Sequence, residues 1–97
     1  MDLYSYAISL VYVFLGLALL ISLIRVILGP TLPDRVVALD LIAFVVISLI
    51  ATYSISSGHP VYLDVAIVLA LIAFLGTIAF SRFVLQRAEI QKEEPHA

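Results

Sequence analysis

Cysteine and tryptophan are absent from this chain, methionine occurs once, and only five lysines and arginines stand among its 97 residues. Without cysteine there is no disulfide and no thiolate metal site, and the redox compartment leaves no trace. The five basic residues, Arg25, Arg35, Arg82, Arg87 and Lys92, are too few and too scattered to track a phosphate backbone, so a nucleic-acid partner is excluded. Missing as well are a phosphate-cradling glycine loop, a nucleophile–base pair, and any His, Asp and Glu cluster at metal-ligand spacing. Nothing supports an independent active site, and the expectation is a protein that is not an enzyme and holds neither cofactor nor metal.

What the chain does contain is apolar. Hydrophobic residues make up 64% of it and charged ones 12%, against about 45–50% and about 25% in soluble domains. The mean hydropathy is +1.21. Apolar runs of about twenty residues read as membrane-spanning helices, so the expected fold is all-α: an integral membrane protein with three transmembrane helices. The opening Met1-Asp2 has no basic region and no small-residue cleavage site, so the first apolar segment is expected to be retained.

The spans are expected at about 3–28, 34–55 and 61–85, followed by a polar tail at 86–97. Gly29-Pro30 stops the first helix. Ala7, Val11, Phe14, Ala18, Ser22 and Arg25 recur at helical spacing along it, and the small members of that face invite a neighbouring helix. At the next start, Thr31 and Asp34 form a capping arrangement, or Asp34 caps alone; either way a carboxylate meets the positive end of the helix. Asp40, Ala43, Ile47 and Ala51 share one stripe of the second span, with Ser48 and Thr52 on its flank. Ser56-Ser57-Gly58-His59-Pro60 forms the second turn. Ala66, Ala70, Ala73 and Thr77 then make a small-residue ridge on the third span, suited to packing against partner helices.

All five basic residues flank the first loop or follow the third span, while the second loop has none. The excess of positive charge on the cytoplasmic side then predicts an N-terminus outside and a C-terminus in the cytoplasm. Tyr4, Tyr6, Tyr12, Tyr53 and Tyr62 all fall toward the opposite interface, as an aromatic belt would. Three spans do not enclose a wet pathway, so a larger assembly is expected.

Three acids could carry chemistry. Asp40 lies six positions beyond Asp34, about 9 Å along a helix, near the inner edge of the hydrocarbon. There an acid must be protonated, paired or turned to a polar cavity. It reads either as a proton or cation relay or as a hydrogen-bonding anchor to a neighbouring helix. Asp34 reads as a cap, with Arg35 beside it to pair with a carboxylate or lipid phosphate. Asp64, one turn inside the third span, caps that helix or meets a cation from outside. Arg25 snorkels to phosphates, and His59 is a turn residue.

The run Arg25-Val26-Ile27-Leu28-Gly29-Pro30-Thr31, the run Pro33-Asp34-Arg35-Val36-Val37-Ala38-Leu39-Asp40, and the later Tyr62-Leu63-Asp64-Val65-Ala66 and Ala73-Phe74-Leu75-Gly76-Thr77-Ile78-Ala79-Phe80-Ser81-Arg82 carry a resemblance. With them the chain resembles the F subunit (MrpF, MnhF or PhaF) of Mrp-type multiple resistance and pH cation/proton antiporters. The resemblance implies a small subunit of a multisubunit Na+/H+ antiporter in a prokaryotic cell membrane, with other Mrp-type subunits, Na+, H+ and the lipid bilayer as its partners. Asp34 then becomes the foremost transport candidate, with Asp40 and Asp64 beside it and Arg35, Thr31 and Arg25 in support. Similar subunits occur in membrane-bound hydrogenase-type respiratory complexes, and a purely structural assembly subunit is the further alternative.

Overall fold

The computed structural model describes residues 2–93; the end of the expected polar tail, at 94–97, lies outside the described residues. Three helices follow one another: α1 (Leu3–Leu28), α2 (Leu32–Ser57) and α3 (Val61–Glu93). Each is long and apolar enough to cross a membrane. At 1.5 Å per residue the 26-residue α1 and α2 are about 39 Å long, and span a hydrocarbon layer of about 30 Å with a turn or so to spare. With 33 residues, α3 reaches about 50 Å. Its last turns, Arg82 to Glu93, hold no glycine or proline and are rich in good helix formers, so nothing ends the helix where the apolar sequence ends.

The two turns are short and chemically explicit. After Gly29 and Pro30, Thr31 takes an extended conformation (φ −121°, ψ 160°) and its hydroxyl accepts the Asp34 amide, which makes Thr31 the N-cap. Leu32 and Pro33 occupy the first two helical positions, where a missing proline N–H costs nothing. At the other end Gly58 adopts φ 76° and returns its N–H to the Ser54 carbonyl at 3.1 Å, a left-handed helix stop that a side chain would strain. The Ser54 hydroxyl donates to the His59 carbonyl at 2.9 Å, the Tyr4 hydroxyl to the Ile55 carbonyl at 3.2 Å, and Tyr12 and Ser56 join hydroxyl to hydroxyl at 3.1 Å. Tyr53 and Tyr62 stack edge to face across this turn at 5.0 Å. The aromatic end foreseen from the tyrosines is thus stitched together by hydrogen bonds.

The helices lie side by side in one layer, 16 Å along its shortest dimension. Among the described residues α2 packs against both neighbours, and α1 and α3 do not meet. The two faces of α2 explain this. Ala38, Val45 and Thr52 recur every seven residues and are buried. Val36, Asp40, Ala43 and Ile47, on the opposite side of the helix, line grooves shared with α3. From α1 the residues that lose exposure are Ile8, Tyr12, Leu15, Gly16, Ala18, Leu19, Ser22 and Val26. Of the Ala7–Val11–Phe14–Ala18–Ser22–Arg25 face expected from the sequence, the small residues Ala18 and Ser22 do turn to α2, whereas Ala7, Val11, Arg25 and the 66% exposed Phe14 do not, so the centre of the seam is rotated by roughly one residue, about 80–100°. Ser22, 1% exposed, returns its hydroxyl to the Ala18 carbonyl at 2.7 Å, leaving a slim surface for α2.

The fully buried apolar residues are correspondingly small: Ala38, Val45 and Ala66. Lipid tails cover large apolar side chains as well as protein does, so close approach through small residues decides which helices associate. Replacing Ser22 by leucine should therefore separate α1 from α2, at a cost of about 1–3 kcal/mol for overpacking. Leucine at exposed Phe14 should cost under about 0.5 kcal/mol. Thermal unfolding in detergent, followed by circular dichroism, measures both.

Candidate functional site

The polar side chains collect in two places along α2. The first is the turn into that helix. Its glycine is required by contact: a Cβ on Gly29 would lie 2.9 Å from the Arg25 carbonyl oxygen and 3.0 Å from Arg35 Cγ. The bare backbone lets Arg35 fold back, and its Nε donates to the Gly29 carbonyl at 3.1 Å. That bond satisfies a carbonyl that the end of α1 leaves without an intrahelical donor. Meanwhile Thr31 works in both directions, accepting the Asp34 amide and donating its hydroxyl to Asp34 Oδ2 at 2.8 Å. Asp34, half-buried in the first turn, thereby places its charge at the positive end of the helix. The open question of which residue caps is answered: Thr31 caps, and Asp34 braces the cap. Arg25 is exposed in the last turn of α1 and supplies its backbone to the close approach.

The second place is the α2–α3 seam. Asp40 is half-buried, and its Oδ1 accepts the hydroxyl of Thr77 on α3 at 2.7 Å. The same hydroxyl lies 3.0 Å from the Ala73 carbonyl, one turn back along its own helix. Two grooves flank this pair. One, of about 390 Å³, is lined by Val36, Val37, Ala43, Ala73, Gly76 and Phe80 among others, and reaches Ser81. The other, of about 260 Å³, runs between Phe44 and Ile47 on α2 and Ala70 and Phe74 on α3. The walls are almost wholly apolar, so the acid and its hydroxyl are the polar feature of the seam. Small side chains make the space. Ala66 is buried, and Ala70, Ala73 and Thr77 open onto α2 of the same chain, whereas the sequence reading gave this ridge to partner helices.

Asp64 stands apart. It lies in the first turn of α3, at the far end of the molecule from Asp34, and is exposed. No side-chain hydrogen bond to it occurs among the described residues, so its link to the helix start is the favourable dipole rather than a cap. With Val61, Val65, Val68 and Ile72 it borders an open, apolar groove on the side of α3 away from the α2 seam. The chain therefore brings Asp34 and Asp40 onto one helix and leaves Asp64 elsewhere. Among the described residues no three metal-ligating side chains converge. Sequence reasoning took Thr77 for a packing residue and missed its bond to Asp40. The available signal was that it is the one hydroxyl in a ridge otherwise made of alanine.

Residues 33–85 match the family model of multiple resistance and pH regulation protein F (MrpF/PhaF). The chain is 51% identical over 67 residues to the F subunit of the Na(+)/H(+) antiporter of Bacillus subtilis (strain 168), covering 69% of this chain and 70% of that one. It is 40% identical over 80 residues to the F1 subunit of the Na(+)/H(+) antiporter of Staphylococcus aureus (strain JH9), covering 82% of each. Among solved structures it is similar to a chain of the membrane-bound sulfane sulfur reductase, an archaeal respiratory membrane complex, with 38% identity and a TM-score of 0.69 over 74% of this chain and 91% of that one.

The turn chemistry sets its own expectations. Gly29→Ala should loosen the turn by about 1–3 kcal/mol, because the new methyl meets backbone at 2.9 Å. Thr31→Ala should cost about 1 kcal/mol and Thr31→Ser almost nothing, as for other N-caps. Hydrogen exchange at the amides of the first turn of α2 reports both effects: faster in the alanine variants, unchanged with serine.

Proposed function

Because the chain belongs to the family of multiple resistance and pH regulation protein F (MrpF/PhaF), we propose that it acts as the F-type subunit of a membrane Na+/H+ antiporter, a transport subunit with no enzymatic step of its own. The names of its relatives in Bacillus subtilis and Staphylococcus aureus support the exchange of sodium for protons. Within this chain the observation that carries the reading is Asp40: a carboxylate in a membrane span, turned into a seam rather than capping an end. An acid so placed takes up a proton or offers a charge to a cation at a site that lipid alone would not tolerate.

Asp34 and Asp40 form the inner part of the path in this reading, one at the mouth of α2 and one about 9 Å deeper. Thr31, Arg35 and Arg25 keep that mouth in shape. Asp64 serves the opposite face, where its apolar surroundings on α3 await another subunit. A single layer of three helices encloses no pore, so neighbouring antiporter subunits supply the remaining walls, in the cell membrane of a prokaryote. The first loop and the C-terminus face the cytoplasm and the tyrosine-rich turn faces outward, on the strength of the basic residues. A second reading, the same type of subunit within a respiratory membrane complex, is favoured by the likeness to a chain of the sulfane sulfur reductase complex.

Asp34→Asn and Asp40→Asn should each leave the complex assembled on native electrophoresis and lower sodium-driven proton flux in vesicles by about tenfold or more, the scale of a 1.4 kcal/mol loss. Normal flux from fully assembled variants removes the transport role. Reduced yield with normal flux per complex assigns the acids to assembly. For orientation, the natural lack of cysteine is an advantage. Ser56→Cys should react with an impermeant maleimide in intact cells, and Gln86→Cys only after the membrane is opened.

A further inference from the structure

The seam between α2 and α3 contains more than the acid. Thr77 sits with its hydroxyl oxygen 2.7 Å from Asp40 Oδ1 and 3.0 Å from the Ala73 carbonyl oxygen, and it owns a single hydrogen to give. Either acceptor is in range without any movement of the helix. When Asp40 is charged, the hydrogen is best given to the carboxylate, since a bond to an ionised acceptor is about twice as strong as a neutral one. When Asp40 carries a proton, the acid becomes a donor. Thr77 then turns its O–H to the Ala73 carbonyl and accepts from Asp40. Both charge states find a partner at the same oxygen.

We propose that Thr77 is a positioning residue for ion exchange: its hydroxyl holds the Asp40 carboxyl in the α2–α3 seam in both protonation states. This rests on the transport role of Asp40 proposed above and extends it to a second helix. Thr77 neither gains nor loses a proton in the cycle; it only reorients. Loss of its proton leaves the Asp40 carboxylate, and a returning proton re-forms the neutral acid.

Little else acts on this acid. Among the described residues no other charged side chain lines either groove. The next charged residues along α2 are Asp34 and Arg35, toward its start, and none follows Asp40 before the end of the helix. On α3 they are Arg82, one position beyond the groove residue Ser81, and Asp64 in the first turn. Among the described residues α1 packs on the other face of α2 and does not reach α3. Thr77 is the side chain on α3 that reaches the carboxyl.

The test is made in the assembled complex, reconstituted in vesicles, by comparing the rate of exchange with the frequency of the infrared carboxyl band that Asp40→Asn removes. Thr77→Val, which keeps the shape and loses the hydroxyl, should slow exchange by about tenfold and shift the carboxyl band. Thr77→Ser should restore both. Should the valine variant assemble poorly, Thr77→Ala reads the same loss without the second methyl. A rate and a band that coincide with those of the unaltered complex in the valine or alanine variant overturn the proposal, as does a change that serine fails to reverse. The prior reading fails separately: exchange that survives Asp40→Asn removes the transport role of the acid, whereas exchange lost in Asp40→Asn but unmoved in Thr77→Val removes only the role of Thr77.

Discussion

A carboxylate set among aliphatic side chains in a membrane has few ways to exist, and in this molecule the way taken is a hydroxyl on the next helix. The Asp40–Thr77 bond crosses the seam at 2.7 Å, and much of the arrangement serves it. Thr77 lies on the ridge begun by Ala66, Ala70 and Ala73, and alanines let α3 come close enough for a threonine hydroxyl to reach a short aspartate. On α2 the acid shares its side with Ala43 and Ile47, opposite the Ala38–Val45–Thr52 face. The central helix is thus divided lengthwise into a closely packed side and a side that holds charge beside open grooves.

Much of this was legible in the sequence, and what was legible has a common origin in residues that differ from their surroundings. The count of helices follows from Gly29-Pro30 and from Gly58, breaks in otherwise unbroken apolar runs. The stripe Asp40–Ala43–Ile47 and the ridge Ala66–Ala70–Ala73–Thr77 stand out because polar or small residues are rare among leucine and isoleucine. The facing of α1 was legible only at its small residues, Ala18 and Ser22, for the complementary reason. Lipid and protein interior are alike in polarity, so apolar periodicity does not tell which side of a membrane helix meets a partner, and the seam through Ile8, Leu15 and Leu19 looks no different from the exposed side.

At the polar turn the sequence pointed to the right residues without their division of labour. A capping pair was evident from Thr31 and Asp34. That the threonine caps while the acid braces it, and that Arg35 closes back on the Gly29 carbonyl, depends on a backbone path which spacing alone does not specify. The exposed apolar surface of α1 and α3, Phe74 and Leu75 included, fits a single layer of helices that meets lipid on some sides and other subunits on the rest.

Among the described residues each helix touches only the helix next to it in the chain, through turns as short as Gly29–Thr31 and Gly58–Pro60. In terms of folding, this is a structure of low contact order, in which no segment waits for a remote partner. The first hairpin is complete once α2 has followed α1 into the bilayer, before α3 is needed. The second closes when α3 arrives, bringing the hydroxyl to an acid already in place. During the interval between the two events Asp40 has no partner within the chain, and the order of synthesis makes the charged side of α2 the last surface to be covered.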